Sequence, residues 1–175
     1  MSRYRRAKIE GGTFFFTITL ADRPGDLLVR HIDRLRQAYK FAADLYPFET
    51  IATCVLPDHL HAIWSLPAAG LNFPLRWGLI KSKFSRGLPS SELRSRSQIE
   101  KRDKGIWQRR YWEHAIRDDD DLARHVDYIH YNPVKHGFVS QVLDWPHSGF
   151  HRYVKRGLLQ ADWGGDVRIG DVGGE

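Results

Sequence analysis

Two periods of hydrophobicity run through this chain, one of two residues and one of three to four, and their order predicts an α+β domain. Thr13-Phe14-Phe15-Phe16-Thr17-Ile18-Thr19-Leu20 is β-branched and aromatic throughout, as a strand in the middle of a sheet would be. After the Arg23-Pro24-Gly25-Asp26 turn, Leu28, Ile32, Leu35, Tyr39 and Ala42 recur at spacings of four and three, which predicts a helix capped by Asp26 and ended by Pro47. Phe48 to Val55 reads as a second strand. The short Leu56-Pro57-Asp58 link requires it to pair antiparallel with a third strand over residues 59–66. Asn72-Phe73-Pro74 supplies an N-cap and a first-turn proline to a second helix, whose buried stripe is Trp77, Ile80, Phe84 and Leu88.

Residues 89–105 are polar and serine-rich, a loop composition. Ile106 to Ile116 alternates as a fourth strand. Four aspartates, Asp118 to Asp121, then suit the positive end of a third helix with Leu122, Val126 and Ile129 as its stripe. Pro133 disfavours the α conformation at Asn132, so that helix is expected to stop or kink there. The aromatic run Trp145 to Tyr153 is expected to pack back on the domain, and the glycine-rich end from Gly164 reads as a loose tail. The economical solution is one antiparallel sheet with helices on one face. A single domain over residues 1–153 is expected, opening with an arm at 1–10 and followed by a tail at 154–175.

Charge sharpens this picture. Residues 76–117 carry 12 Lys and Arg against 4 Asp and Glu, whereas residues 118–175 carry 6 against 10. A basic block of this kind points to a polyanionic partner, and a solvated basic loop is the plainer alternative. The arm adds Arg3, Arg5, Arg6 and Lys8 around Tyr4. No apolar run approaches a membrane span, and lone Cys54 can form neither an internal disulfide nor a cysteine zinc site, so a soluble, cytoplasmic protein is expected.

The candidate chemistry lies in two segments. In Leu56-Pro57-Asp58-His59-Leu60-His61, the strand period sends both imidazoles from one face, where together they could chelate one ion. A buried, hydrogen-bonded histidine beside an exposed one would show the same spacing. Two histidines are too few for a structural zinc site but suit a catalytic ion with open positions. The amide oxygen of Asn132 would complete a set for Mg²⁺ or Mn²⁺. Tyr128 stands one turn before Asn132, and its phenol is a candidate nucleophile on phosphorus. Residue chemistry alone does not choose between Tyr128 and Tyr131.

Taken together, these segments resemble a known family. Tyr4-Arg5-Arg6, Gly12 to Thr17, Leu56 to His61, Trp107-Gln108-Arg109-Arg110-Tyr111-Trp112-Glu113-His114 and Tyr128-Ile129-His130-Tyr131-Asn132-Pro133 occur in the order seen in IS200/IS605-like, single-tyrosine transposases of the HUH class. The likeness is closer still to the REP-associated tyrosine transposases of bacteria. The resemblance implies a ferredoxin-like fold, with Tyr128 as nucleophile and His59, His61 and Asn132 as ligands of a divalent metal. Asn132 stands where insertion-sequence members carry Gln and the REP-associated branch carries Asn. The implied reaction nicks and rejoins single-stranded hairpin DNA of the REP or BIME type through a 5′-phosphotyrosine. Arg3, Arg5, Arg6, Arg76, Lys81, Lys83, Arg109 and Arg110 are the expected DNA contacts. A monomer is expected, because no clean dimerisation strand stands out. A hairpin-binding protein that has lost catalysis is the rival reading, and a metal-dependent hydrolase of small substrates is disfavoured by the basic charge.

Overall fold

A computed structural model of the chain describes residues 11–68, 70 and 72–164. Four strands, β1 (Thr13–Thr19), β2 (Glu49–Val55), β3 (His59–Ser65) and β4 (Trp112–Ala115), form one antiparallel sheet in the order β2-β3-β1-β4. With helices α1 (Leu27–Arg30) and α2 (Ile32–Leu45) between β1 and β2, and α3 (Phe73–Ser85) and α4 (Arg96–Glu100) between β3 and β4, this is the ferredoxin-like arrangement. Helix α5 (Asp119–Lys135), a 3-10 turn (Val142–Asp144) and α6 (Phe150–Lys155) follow.

The helices do not share one face. Phe14, Phe16, Ile18, Leu60, Ala62 and Trp64 pack against Leu35, Ala38 and Ala42 of α2 and Phe73, Trp77, Ile80 and Phe84 of α3. Trp64 and Trp77 stack with centroids 4.1 Å apart. The opposite pleat, with Phe15, Ala52, Cys54 and Ile63, packs against Val126, Tyr128 and Ile129 of α5. The expectation of helices on one face is therefore corrected for α5. Its own apolar stripe needs cover, and the α2–α3 pair already fills the first face.

Three further expectations change. The first helix breaks at His31 into α1 and α2, and Asp26 makes no side-chain cap there but binds Arg30. The alternating run 106–116 yields only the four residues of β4 plus an isolated Leu20–Trp107 bridge. The polar loop contains α4, opened by a reciprocal Ser95–Gln98 capping box. Asn72 and Asp118 do cap α3 and α5, accepting from Leu75 N and Asp121 N.

Helix α5 also runs through Pro133 rather than stopping at Asn132. Gly137, at φ 71°, closes it: its N–H donates to Val134 O, and the Phe138 N–H donates to Pro133 O. A proline in the last turn forfeits one helical bond, and this paired closure with the burial of Asn132 and Pro133 holds the turn together.

The outer edge of β2 is covered. Val55 N donates to His147 O, Gly149 N to Thr53 O, and the Tyr153 hydroxyl to Ile51 O, so the aromatic run packs back as expected. Trp163, beyond the anticipated domain end, lies against His130 and Phe150. No described helix is long and apolar enough to cross a membrane.

Candidate active site

The site occupies the α5 face of the sheet, at the end where β3 begins. His59 and His61 alternate with Leu60, so both point to this face, buried, with ring centroids 4.9 Å apart. Each ring is held through Nδ1. His61 Nδ1 pairs with the Thr17 hydroxyl at 2.9 Å across β1, and His59 Nδ1 with Asp58 Oδ1 at 2.7 Å. Asp58 in turn accepts from Arg23 Nε at 2.8 Å. Burial works to raise the Asp58 pKa, but Arg23 and His59 outweigh it and hold the carboxyl below its ordinary value. With Nδ1 engaged on both rings, Nε2 is the atom each would offer to a metal, and both Nε2 atoms are buried.

The last third of α5 faces this pair. Tyr128 is buried, with its ring 5.3 Å from His61 and 6.1 Å from Phe15. Phe15 itself stacks on His61 at 5.5 Å. Asn132, one turn on, is fully buried, including its amide oxygen. Lys135, a further turn away on the same helical face, donates to the Tyr128 hydroxyl at 3.3 Å and lies over its ring at 4.9 Å. The turn after the helix sets His136 5.3 Å from His59. Two imidazoles and, on the facing helix, a buried amide oxygen offer nitrogen and oxygen donors. That donor set fits a divalent ion whose other positions go to water or phosphate oxygens.

A second cluster lies further toward the start of α5. His114, Asp121 and His125 place one potential ligand atom each within 4.8 Å of one another. Asp121 is buried, and it accepts from His114 Nε2 at 2.8 Å and from Arg117 N and Nε at 3.0 and 3.2 Å, with Arg124 at 3.4 Å. The histidine rings stack at 4.7 Å, and His125 Nδ1 bonds to Asp121 O at 2.7 Å. The carboxylate already balances arginine, so a metal here would have to displace that cation. The reading of Asp121 as a helix-opening acid missed this tie between α5 and β4.

No protein-family model matches the chain. Curated relatives do. A REP-associated tyrosine transposase of Escherichia coli is 48% identical over 95% of this chain and 93% of its own length. A Haemophilus influenzae protein assigned to the same family is 51% identical over 98% of this chain and all of its own. The chain belongs to the REP-associated tyrosine transposase family. It is a member of a group of DNA-processing enzymes. A solved structure of a REP-associated tyrosine transposase bound to a REP hairpin shares the fold, at TM-score 0.87 and 47% identity over 100% of this chain and 98% of that one.

The expected DNA contacts of this family member fall in different places. Arg3, Arg5 and Arg6 lie outside the described residues. Arg76 is not on the surface: it is 3% exposed, and its guanidinium donates to Tyr46 O, Gly70 O and Pro47 O. It ties α3 to the end of α2, which removes it from the DNA-facing set. Lys81 is half-buried, donates to Gln108 O at 3.0 Å and sits over Trp107 and Tyr111. Burial pushes its pKa down to about 8, against the pull of Asp103. Lys83 lies over the Phe41 ring, whereas Arg109 and Arg110 are exposed. Sequence reasoning passed over Thr17, Asp58, Lys135 and His136. Strand pairing could have found Thr17, which lies opposite His61, and helical spacing could have found Lys135, seven residues after Tyr128.

Proposed function

We propose that this protein binds single-stranded REP-type hairpin DNA and nicks and rejoins it through a 5′-phosphotyrosine on Tyr128. The observation that carries the reading is Tyr128 standing 5.3 Å from His61, on a helix that also brings Asn132 to the same face of the sheet. The likeness to a family member bound to a REP hairpin supports the DNA class.

In this mechanism the Tyr128 oxygen attacks phosphorus in line with the 3′ oxygen. The P–O3′ bond breaks as the tyrosyl ester forms, the phenol proton leaves to solvent, and the 3′ oxygen takes one up. One phosphodiester replaces another, so a 3′-hydroxyl can reverse the step and rejoin the strand. Lys135, donating to the phenol oxygen, stabilises the phenolate released on rejoining. Thr17 and Asp58 hold His61 and His59 in one ring orientation. His59, His61 and Asn132 would hold Mg²⁺ or Mn²⁺, which supplies charge neutralisation at the scissile phosphate.

A monomer is proposed, because residues 147–153 cover the β2 edge of the sheet against strand addition. A cytoplasmic bacterial setting is proposed from the likeness to the Escherichia coli and Haemophilus influenzae relatives.

The test mixes the protein with labelled hairpin DNA and either metal, then seeks a covalent adduct that survives denaturation. Tyr128→Phe should abolish the adduct and leave binding intact. Loss of the adduct in Tyr131→Phe with retention in Tyr128→Phe would move the nucleophile. Hairpin binding by the wild type with no adduct under either metal would make the chain a binding module.

A further inference from the structure

We propose that a basic cleft between α3 and the loop 102–109 seats a phosphate of the single-stranded flank that leads from the hairpin to the tyrosine. The inference rests on the reading of the chain as a hairpin-processing enzyme, and it adds the place where the flank is gripped.

The cleft has a volume of about 440 Å³, within the range of small-ligand pockets. Lys81, Arg86, Arg102, Lys104 and Arg109 line it, opposed by Asp103 alone among acids. Most of these charges are already committed. Lys104 donates to Ser85 O and Leu88 O and Lys81 to Gln108 O, while Asp103 accepts from the Gly105 N–H on one side with Arg109 3.9 Å away on the other. The side chains of Arg86 and Arg102 make no hydrogen bond or ion pair among the described residues. Two arginines without an acid, beside three more cations, leave a positive concavity that only an anion balances.

The loop is built to hold its shape. Arg102 has φ 54°, the only positive value at a non-glycine among the described residues, and Gly105 follows at φ 68°. A Cβ at Gly105 would come within 2.6 Å of Arg94 Cγ, so glycine is required for the loop to lie this close. Asp103 N donates to Gln98 O and Ser91 N to Lys104 O, which staples the start of the loop, and Gln108 N to Thr19 O near its end. Burial has also stripped water from the Lys81 ammonium, which a phosphate would stabilise in its charged form.

Chemistry selects the phosphate over the base. The Trp107 ring could stack a base, but Phe84 lies against it at 5.2 Å and the Lys81 ammonium at 5.7 Å. The grip is therefore on the backbone and blind to sequence at that unit. Location selects the flank. Gln108 N donates to Thr19 O, and Thr19 pairs with His59 across β1 and β3. The cleft's rim thus stands two strand spacings, roughly 10 Å, from the histidine pair, with the cleft and the site on opposite faces at one end of the sheet. A strand passing around that end, along exposed Arg109 and Arg110, connects them.

The test is a binding measurement without divalent metal, so it does not depend on which tyrosine reacts. Two DNAs are compared across a salt series: a hairpin with a flank of roughly 4–16 nucleotides, the footprint usual for a single-strand groove, and the same hairpin without it. The variant is Arg86→Gln with Arg102→Asn, since Asn tolerates a positive φ; thermal unfolding confirms the fold. Affinity for the flanked DNA should fall about tenfold or more, the loss expected for charge-assisted phosphate contacts. Its salt slope should drop by about 0.7, the value for one lost single-strand phosphate contact. Affinity for the bare hairpin should not change, and the loss should be the same whichever base stands at the gripped unit. An equal loss on both DNAs would place the stem in the cleft, and no loss on either would leave it outside the DNA path; each overturns the proposal. Failure of the tyrosine reading would show separately, as absence of the adduct with this binding pattern intact.

Discussion

The two faces of the sheet are built from the same strands and serve different ends. Toward α2 and α3, β1 and β3 present Phe14, Phe16, Ile18, Leu60, Ala62 and Trp64, an unbroken aromatic and aliphatic surface. Toward α5, the intervening residues of the same strands include Thr17, His59 and His61, and the facing helix buries Asp121, His125, Tyr128 and Asn132. One face gains stability from apolar burial, while the other gives up part of that gain to hold polar groups in fixed orientation. The pleat separates the two by one residue, so a single-residue register slip would send the histidines into the aromatic core.

Substitutions should break this comparison in a graded way. Trp64→Ala, on the apolar face, empties a site stacked on Trp77 and packed against Phe48, and should cost about 3–5 kcal/mol in urea unfolding. A loss under about 1 kcal/mol would mean that face does not dominate stability. Arg76→Ala strands three carbonyls and should cost about 2–3 kcal/mol, with hairpin affinity unchanged once the folded fraction is allowed for. Weaker binding by the folded variant would return Arg76 to the DNA surface.

Asp121→Asn, on the α5 face, should cost about 1–2 kcal/mol at neutral pH. Burial works to raise the Asp121 pKa, but hydrogen bonds from Arg117 and His114 outweigh it and leave the carboxyl well below the ordinary range. A depressed acid stabilises the fold above its unfolded pKa near 3.9, and that contribution is lost as pH falls through this value and toward the folded one. The gap between wild type and variant should therefore be full at pH 7 and narrow below about pH 4; a gap that widens on acidification would refute the assignment. His61→Gln, which keeps much of the side chain's volume, should cost only about 1 kcal/mol, yet it should stop adduct formation. Retained cleavage would sever stability's smallest effect from the largest functional one.

Much of the fold was legible because short-range physics governs it. The period-two run at His59, the Asn72 and Asp118 caps and the tight link at Pro57 each act within a few residues, and the structure contains them. What was not legible depends on distant partners. Arg76 looked like part of a basic surface because its three carbonyl acceptors lie on a separate loop and at the end of α2. Asp121 looked like the last of a run of helix-opening acids because its histidine partner sits on β4. The side of the sheet taken by α5 depends on which face is already filled, and no window of sequence records that. Tyr128 rather than Tyr131 lies buried beside His61, a distinction of helical phase that only packing displays.

The strap over β2 has a consequence for how the chain is made. Its hydrogen bonds join residues about a hundred positions apart, Arg152 to Thr50 and Tyr153 to Ile51 among them. As the polypeptide leaves the ribosome, β1, β2 and β3 can pair long before residues 147–153 emerge. Through that interval the nascent sheet carries a bare edge able to recruit a strand from a neighbouring nascent chain. Truncation ahead of His147 would make that interval permanent, and the shortened chain would accumulate as aggregate rather than as a smaller enzyme.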